Sequence, residues 1–328
     1  TVDFSFAPNG LATGWSDSEG RGQSKTYDAL NRVDTTTDGN GATTDTDYWQ
    51  DGRVKQFTDE LGTITRFDVN LLNRLSSETQ AYDVPGLERT IVSSFNAAGF
   101  VTEVENGLGF VTYYEDNGLH QVWKMRDDNY MLKATYLYDG LGQGKKVTDA
   151  ETDDTQEAYD GLERATSFTD ASNHESQVIF DSMDQKVADI DGLGHVTKYV
   201  NDALGRQTFI VDANGGMVQK NYDPFYLAAV VDPLGNATRY ANDADGRVIK
   251  EVDPLNHATT YTRDTAGRVT VIVDRNGRER DFGYDHNDNK TSETWKDSSG
   301  TTVDSFSFTF NAKNEMLTAM EGTSGYTF

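Results

Sequence analysis

Arg32, Arg53, Arg164, Arg206, Arg247 and Arg268 each stand six residues before an aspartate: Asp38, Asp59, Asp170, Asp212, Asp253 and Asp274. The aspartates keep a nearly fixed step of their own. From Asp149 they run through Asp170, Asp191, Asp212, Asp232 and Asp253 to Asp274, every 20 or 21 residues. Self-similarity at such a period marks an array of one small unit rather than a pair of ordinary domains. Each unit carries two turn signals. Asn201-Asp202-Ala203-Leu204-Gly205-Arg206 leads through Gln207 to Val211 into Asp212-Ala213-Asn214-Gly215, and the copies at 242–256 and 263–277 repeat that order. Aspartate opens such a turn by bonding its own backbone ahead, and Gly or Asn closes it at a left-handed position.

Between the turns lie segments of about six residues rich in Val, Ile, Thr, Phe and Tyr, which read as strands. Val269, Val271 and Val273 alternate with Thr270 and Ile272, a two-residue period. The returning segment places an aromatic eight residues after the aspartate (Tyr199, Tyr240, Tyr261, Phe282) or ten after it (Tyr48, Tyr159, Phe180, Tyr222, Tyr284). Both positions share parity, so the rings belong to one face of a sheet. Two turns per unit make each unit a hairpin and the array an antiparallel meander of about thirty strands, each ~20 Å long and ~4.8 Å from the next. Side by side they form a ribbon about 145 Å long. Twisted open sheets seldom exceed ~10 strands without curling. Bent into one circle, the ribbon would be about 45 Å across. The expected fold is therefore all-β, a spiralled antiparallel sheet of tandem ~21-residue hairpins forming a curved wall. A parallel β-helix ranks second, because it needs no paired turns. The expected divisions are a partial repeat at 1–26, tandem repeats at 27–297 and a degenerate terminal repeat at 298–328 that loses the pattern after Asn314. Two departures stand inside the array: Asn73-Arg74 precedes Gln80 where an aspartate is expected, and Pro85-Gly86 suggests an enlarged turn.

Composition bears on partners. The 54 acidic and 29 basic residues give a net charge of −25. That weighs against nucleic acid, whose phosphates need a cationic surface, and against anionic membranes. No apolar run approaches the ~20 residues that span a bilayer, so no membrane insertion is expected of this segment. With no cysteine there is neither a disulfide framework nor a thiolate metal site. The chain opens at Thr1-Val2-Asp3 and stops at Phe328 within the period, which reads as a segment of a longer protein.

The constellation Tyr-Asp-x-x-Gly-Arg, five residues, Asp-x-x-Gly and a Thr-x-Tyr return resembles the YD repeat of Rhs proteins. Asp232-Pro233-Leu234-Gly235-Asn236-Ala237-Thr238-Arg239-Tyr240 is nearly the family pattern as it stands, and the resemblance runs from about Tyr27 to Asp297. The family includes bacterial Rhs polymorphic toxins, wall-associated proteins, toxin-bearing subunits of Tc complexes and animal teneurins. The resemblance implies a spiralled β-shell, often enclosing a C-terminal toxic domain. Rhs toxins usually close with a segment whose aspartates perform self-cleavage, and nothing here matches it. Asp232-Pro233 and Asp253-Pro254 fall at ordinary turn positions, so autoproteolysis is assigned to no residue.

The repeat bears on every candidate site. A residue repeated in every unit rarely acts once as a catalyst, so no catalytic residue is assigned. His174, His195 and His257 share one position just after a turn, and His120 and His286 lack partners at ligand spacing. Asp38-Gly39-Asn40-Gly41 and Asp285-His286-Asn287-Asp288-Asn289 are rich in oxygen but lack the EF-hand ligand order, so only incidental cation binding is expected there. No metal and no cofactor is assigned. The Arg-to-Asp spacing is even, which puts both on one strand face and suggests a ladder tying turns of adjacent hairpins; a row of arginines recognising acidic sugars is the other reading. Asn236-Ala237-Thr238 and Asn289-Lys290-Thr291 match glycosylation sequons by chance. The expected function is a non-enzymatic scaffold of a large secreted or cell-surface bacterial protein, whose partners are a cargo polypeptide and the remaining shell. The alternative is an adhesive filament binding glycans or surface receptors, suggested by 36 aromatics, Trp15, Trp49, Trp123 and Trp295 among them.

Overall fold

The computed structural model describes residues 2–72, 74–82, 84, 86–322 and 324–327. Asn73, Pro85 and the terminal Thr1 and Phe328 lie outside the described residues. The described residues hold 31 strands in one sheet and no helix. Every pairing of known register is antiparallel and joins strands consecutive in sequence, which excludes the parallel β-helix. Two contact units divide the chain. One takes in residues 1–90 with 240–328, the other residues 91–239.

The stretch 258–284 shows how the sequence builds a unit. Strand Ala258–Arg263 enters a turn at Asp264, strand Val269–Val273 returns to a turn at Asp274, and Glu279–Tyr284 follows. In each turn the glycine N–H donates to the aspartate carbonyl (Gly267 to Asp264, 3.0 Å; Gly277 to Asp274, 2.9 Å), while the aspartate N–H donates to the carbonyl four residues on. That is the three-residue hairpin loop, a type I turn closed by a left-handed residue. Gly205, at φ 78°, and Gly267, at φ 89°, occupy that position.

Turns alternate between two edges of the meander. The six arginines of the repeat end turns on one edge, which we call the arginine edge; the turns opened by Asp38, Asp170, Asp212 and their equivalents lie on the far edge. Hairpins of the arginine edge carry a register shift beside the turn, as between Val200 and Asn201 or Thr262 and Arg263. Most far-edge hairpins do not, as with Phe209–Gln219 or Val271–Asp281. A bulge bends its strand and raises the local twist, so a bulge repeated on one edge curls the sheet.

There is no second layer. Among the described residues only Ala134, Ala188 and Glu293 are buried, and no large side chain is fully enclosed. One face is less exposed than the other: Phe306, Phe308 and Phe310 are half-buried while Ser305, Ser307 and Thr309 between them face solvent. Cross-strand pairs on the aromatic face stand in for a core. The meander also continues where the sequence pattern fades. Asn311 opens a full turn to Glu315, and strand Met316–Glu321 follows. Between Gln80 and Arg89 the connection is longer than a single turn.

Candidate functional site

The recurring side-chain device is a clamp built on arginine-edge turns that end in arginine. At Asp202 one carboxylate oxygen accepts the N–H groups of Leu204 and Arg206 at 2.9 and 3.0 Å, and the other takes the Arg206 Nε at 2.8 Å. The free end of the guanidinium reaches the next turn on the same edge, donating from Nη1 to the Pro224 carbonyl at 2.7 Å. It also lies 4.3 Å over the ring of Tyr222. Tyr222 returns the contact, its hydroxyl donating to the Gln207 carbonyl at 2.9 Å. The same set recurs at Arg32 with Asp28, the Trp49 carbonyl and Tyr48, and at Arg268 with Asp264, the Asp285 carbonyl and Tyr284. Arg164 bonds Asp160 and Asp184 and stacks on Phe180. Where the tenth-position residue is not tyrosine, another donor serves: Asn201 Nδ2 reaches the Lys186 carbonyl and Arg263 the Val248 carbonyl.

This corrects the ladder expected from the six-residue spacing. Five of the six arginines pair with the aspartate four residues before them, each in its own turn, while Arg53 pairs with Asp51; Asp38 or Asp212 opens a turn at the opposite end of the following strand. Adjacent hairpins are tied, as expected, but through the outer guanidinium nitrogens. The clamp also sets the charge states. The Arg164 and Arg206 side chains hold the Asp160 and Asp202 carboxyls below the ordinary value of 3.8, and the backbone and side chain of Arg32 do the same for Asp28.

The histidines take the arginine's place on the far edge. Nδ1 of His174, His195 and His257 lies 3.2, 2.9 and 3.2 Å from the aspartate four residues before it, and Asp191 is lowered chiefly by its bond to the His195 ring. On the arginine edge, His120 Nδ1 lies 3.1 Å from Asp116, the residue before the turn that Asn117 opens. Among the described residues no three His, Asp or Glu side chains are grouped to hold a metal ion. Asp45 is pushed up by burial and by Asp47 and Asp34. A cavity of about 530 Å³ beside Trp295 is lined by Arg278, Arg280 and Lys296, of which Arg278 is bonded to Asp274 and Lys296 to Glu279.

The two oxygen-rich turns are brought together, which their spacing did not suggest. Within the unit formed by residues 1–90 and 240–328, far-edge turns at 17–21, 38–42 and 59–63 meet arginine-edge turns at 264–268, 285–289 and 311–315. His286 Nδ1 lies 3.2 Å from the Gly39 carbonyl, 247 residues away in sequence. Asn40 donates to Asp285 at 3.0 Å, Asn287 donates to Asp38 at 2.5 Å, and Asp288 accepts from Arg21 and Arg268 at 3.1 and 2.9 Å. Lys313 pairs with Asp59. The oxygens of Asp38 and Asp285 are thereby spent: each carboxylate takes two turn N–H groups on one oxygen and side-chain amides on the other. A pair of candidate cation turns is a polar seam. Glycine is required at Gly39, where a Cβ would stand 2.7 Å from the His286 carbonyl oxygen.

Residues 243–279, four turns with the strands between them, match the RHS Repeat family. The chain thus carries an RHS repeat. No curated protein matches it in sequence. Among solved structures, the chain is similar to TcdB2-TccC3 with a TM-score of 0.77 at 11% identity, covering 98% of this chain and 20% of that one. TcdB2-TccC3-TEV gives 0.76 at 11%, with the same coverage. The Photorhabdus luminescens Tc holotoxin pore, with a TccC3 variant, gives 0.65 at 10%, covering 98% and 22%. At these identities the likeness is one of fold. The chain spans about a fifth of the length of the solved chains it matches.

Proposed function

We propose that this YD-repeat chain is a stretch of wall in a larger β-shell that encloses and carries a cargo polypeptide, in a protein secreted or displayed by a bacterium. The wall has no chemistry of its own. The seam is the observation that carries the reading. Turns of one stretch of sheet lock onto turns of another about 247 residues later, so the same ribbon covers area edge to edge instead of running on as a filament. Spending nearly every turn carboxylate on clamps leaves the repeat a structural task. The matched chains come from Tc toxin complexes, which favours a toxin as the cargo class. The test is limited proteolysis of the complete protein. Cargo peptides are expected only after the wall is denatured; a cargo domain cut in the native protein as fast as in isolation would overturn the reading.

A further inference from the structure

The third residue of each turn is its tip, and scattered tips on both edges are exposed leucines, such as Leu30, Leu193 and Leu255. At the seam the tips are Glu19 and Asn40 on one side and Ala266, Asn287 and Lys313 on the other, polar or small. Leu61, the one leucine there, is 52% exposed. In the unit of residues 91–239 the arginine edge presents a different series on five successive turns: Leu119, Leu141, Leu162, Met183 and Leu204, all between 69% and 76% exposed. Hairpins on one edge are two strand spacings apart, so these tips stand about 9.6 Å from one another in a row about 40 Å long. A single exposed leucine needs no explanation, but an unbroken apolar row does. The turns do not need these side chains. Each tip contributes its backbone N–H to the opening Asp or Asn, as Leu141 does to Asp139 at 2.8 Å, while its side chain touches nothing that the turn requires. Asn129 and Asn287 fill the same position in turns of the same geometry.

The seam says what this edge fits. Wherever the arginine edge is covered in this structure, a far edge of YD-repeat sheet covers it, from a stretch 246 to 254 residues earlier. Carried to turns 117–206, that offset falls before residue 1, so nothing within residues 1–328 is placed to cover them in that register. We infer that the apolar tips at Leu119, Leu141, Leu162, Met183 and Leu204 form a docking edge for the far edge of another stretch of YD-repeat sheet lying outside residues 1–328. Water-excluding leucines hold this junction, where amide and carboxylate pairs hold the seam. The difference has a physical use. Polar pairs impose register between stretches of one folding unit, while apolar tips tolerate small displacements between stretches that form separately.

The inference deepens the shell reading and rests on it for the class of partner, yet it is tested apart from any cargo. In the complete protein, a photo-crosslinking phenylalanine analogue replaces Leu141 or, separately, Met183. The expected result is a crosslink to an Asp-x-x-Gly turn of another repeat stretch. Replacing Leu119, Leu162 and Leu204 with Asn, the residue native at equivalent tips, is expected to leave the β-sheet circular dichroism unchanged and to cut that crosslink at least tenfold. A crosslink to a non-repeat segment, an undiminished crosslink in the Asn variant, or a tip that labels only with solvent would overturn the inference. An empty shell with this crosslink intact would refute the cargo reading and keep the docking edge.

Discussion

At Thr152 the chain holds a β-branched residue at φ 73°, where most turns of the array hold glycine or asparagine. A left-handed backbone costs an L-residue roughly 1–2 kcal/mol. Thr152→Gly should therefore raise stability by about 1 kcal/mol, and Gly205→Val should lower it by about the same. At Gly205 the nearest atoms to an added Cβ are 4.0 Å away in Gln185, so the backbone alone bears the cost. Chemical denaturation checks both, and equal midpoints would contradict the turn assignment. These glycines were legible in the sequence because only one backbone conformation closes an Asp-x-x-Gly turn. The arginine's partner was not. Asp28, Arg32 and Asp38 offer spacings of four and six, and turn geometry rather than spacing chooses the first. That choice has a pH consequence. Carboxyls held low in the folded state, such as Asp28, Asp160 and Asp202, stabilise fully above their ordinary value of 3.8, and that contribution is lost as pH falls through the lowered values. Asp202→Asn keeps an oxygen for the two turn N–H groups but has no charge, so its stability should fall less steeply with acid than the parent's.

At the scale of the hairpin, the clamp joins each turn to the next through one guanidinium and one ring. Arg206 is about a quarter exposed, which screens its ion pair with Asp202. Arg206→Ala should cost about 1 kcal/mol, Tyr222→Phe about 1 kcal/mol through the lost bond to Gln207, and the double variant less than their sum. Strict additivity in urea unfolding would mean that ring and guanidinium act independently. Strands and hairpins were readable from alternation and turn residues, including the strand count of about thirty against 31 observed. The stretch around 96–121 obscured the period for a plain reason. Asn96, Asn106 and Asn117 open its turns, and their side-chain carbonyls accept the same N–H groups that aspartate accepts elsewhere. A pattern keyed to carboxylates passes over them.

For the whole molecule, the seam is the feature no local pattern contains. Asp38 and Asp285 each look like a turn with spare oxygens, and only curling of the sheet brings them face to face. Gly39→Ala should loosen the seam without disturbing its own hairpin, because the added methyl meets the His286 backbone. Faster hydrogen exchange at both 38–42 and 285–289 is the expected signature, and a change confined to 38–42 would argue against contact. The most direct test uses the absence of cysteine from residues 1–328. Ser18 and Thr265 face each other across the seam with their side-chain oxygens 2.8 Å apart, so cysteine sulfurs placed there are within reach of a ~2.05 Å disulfide bond. In the Ser18→Cys/Thr265→Cys variant, mild oxidation of the folded protein should join the two thiols within one chain, closing a loop across 247 residues. Two thiols that remain free and react with maleimide while the sheet stays folded would contradict the return of the ribbon onto itself.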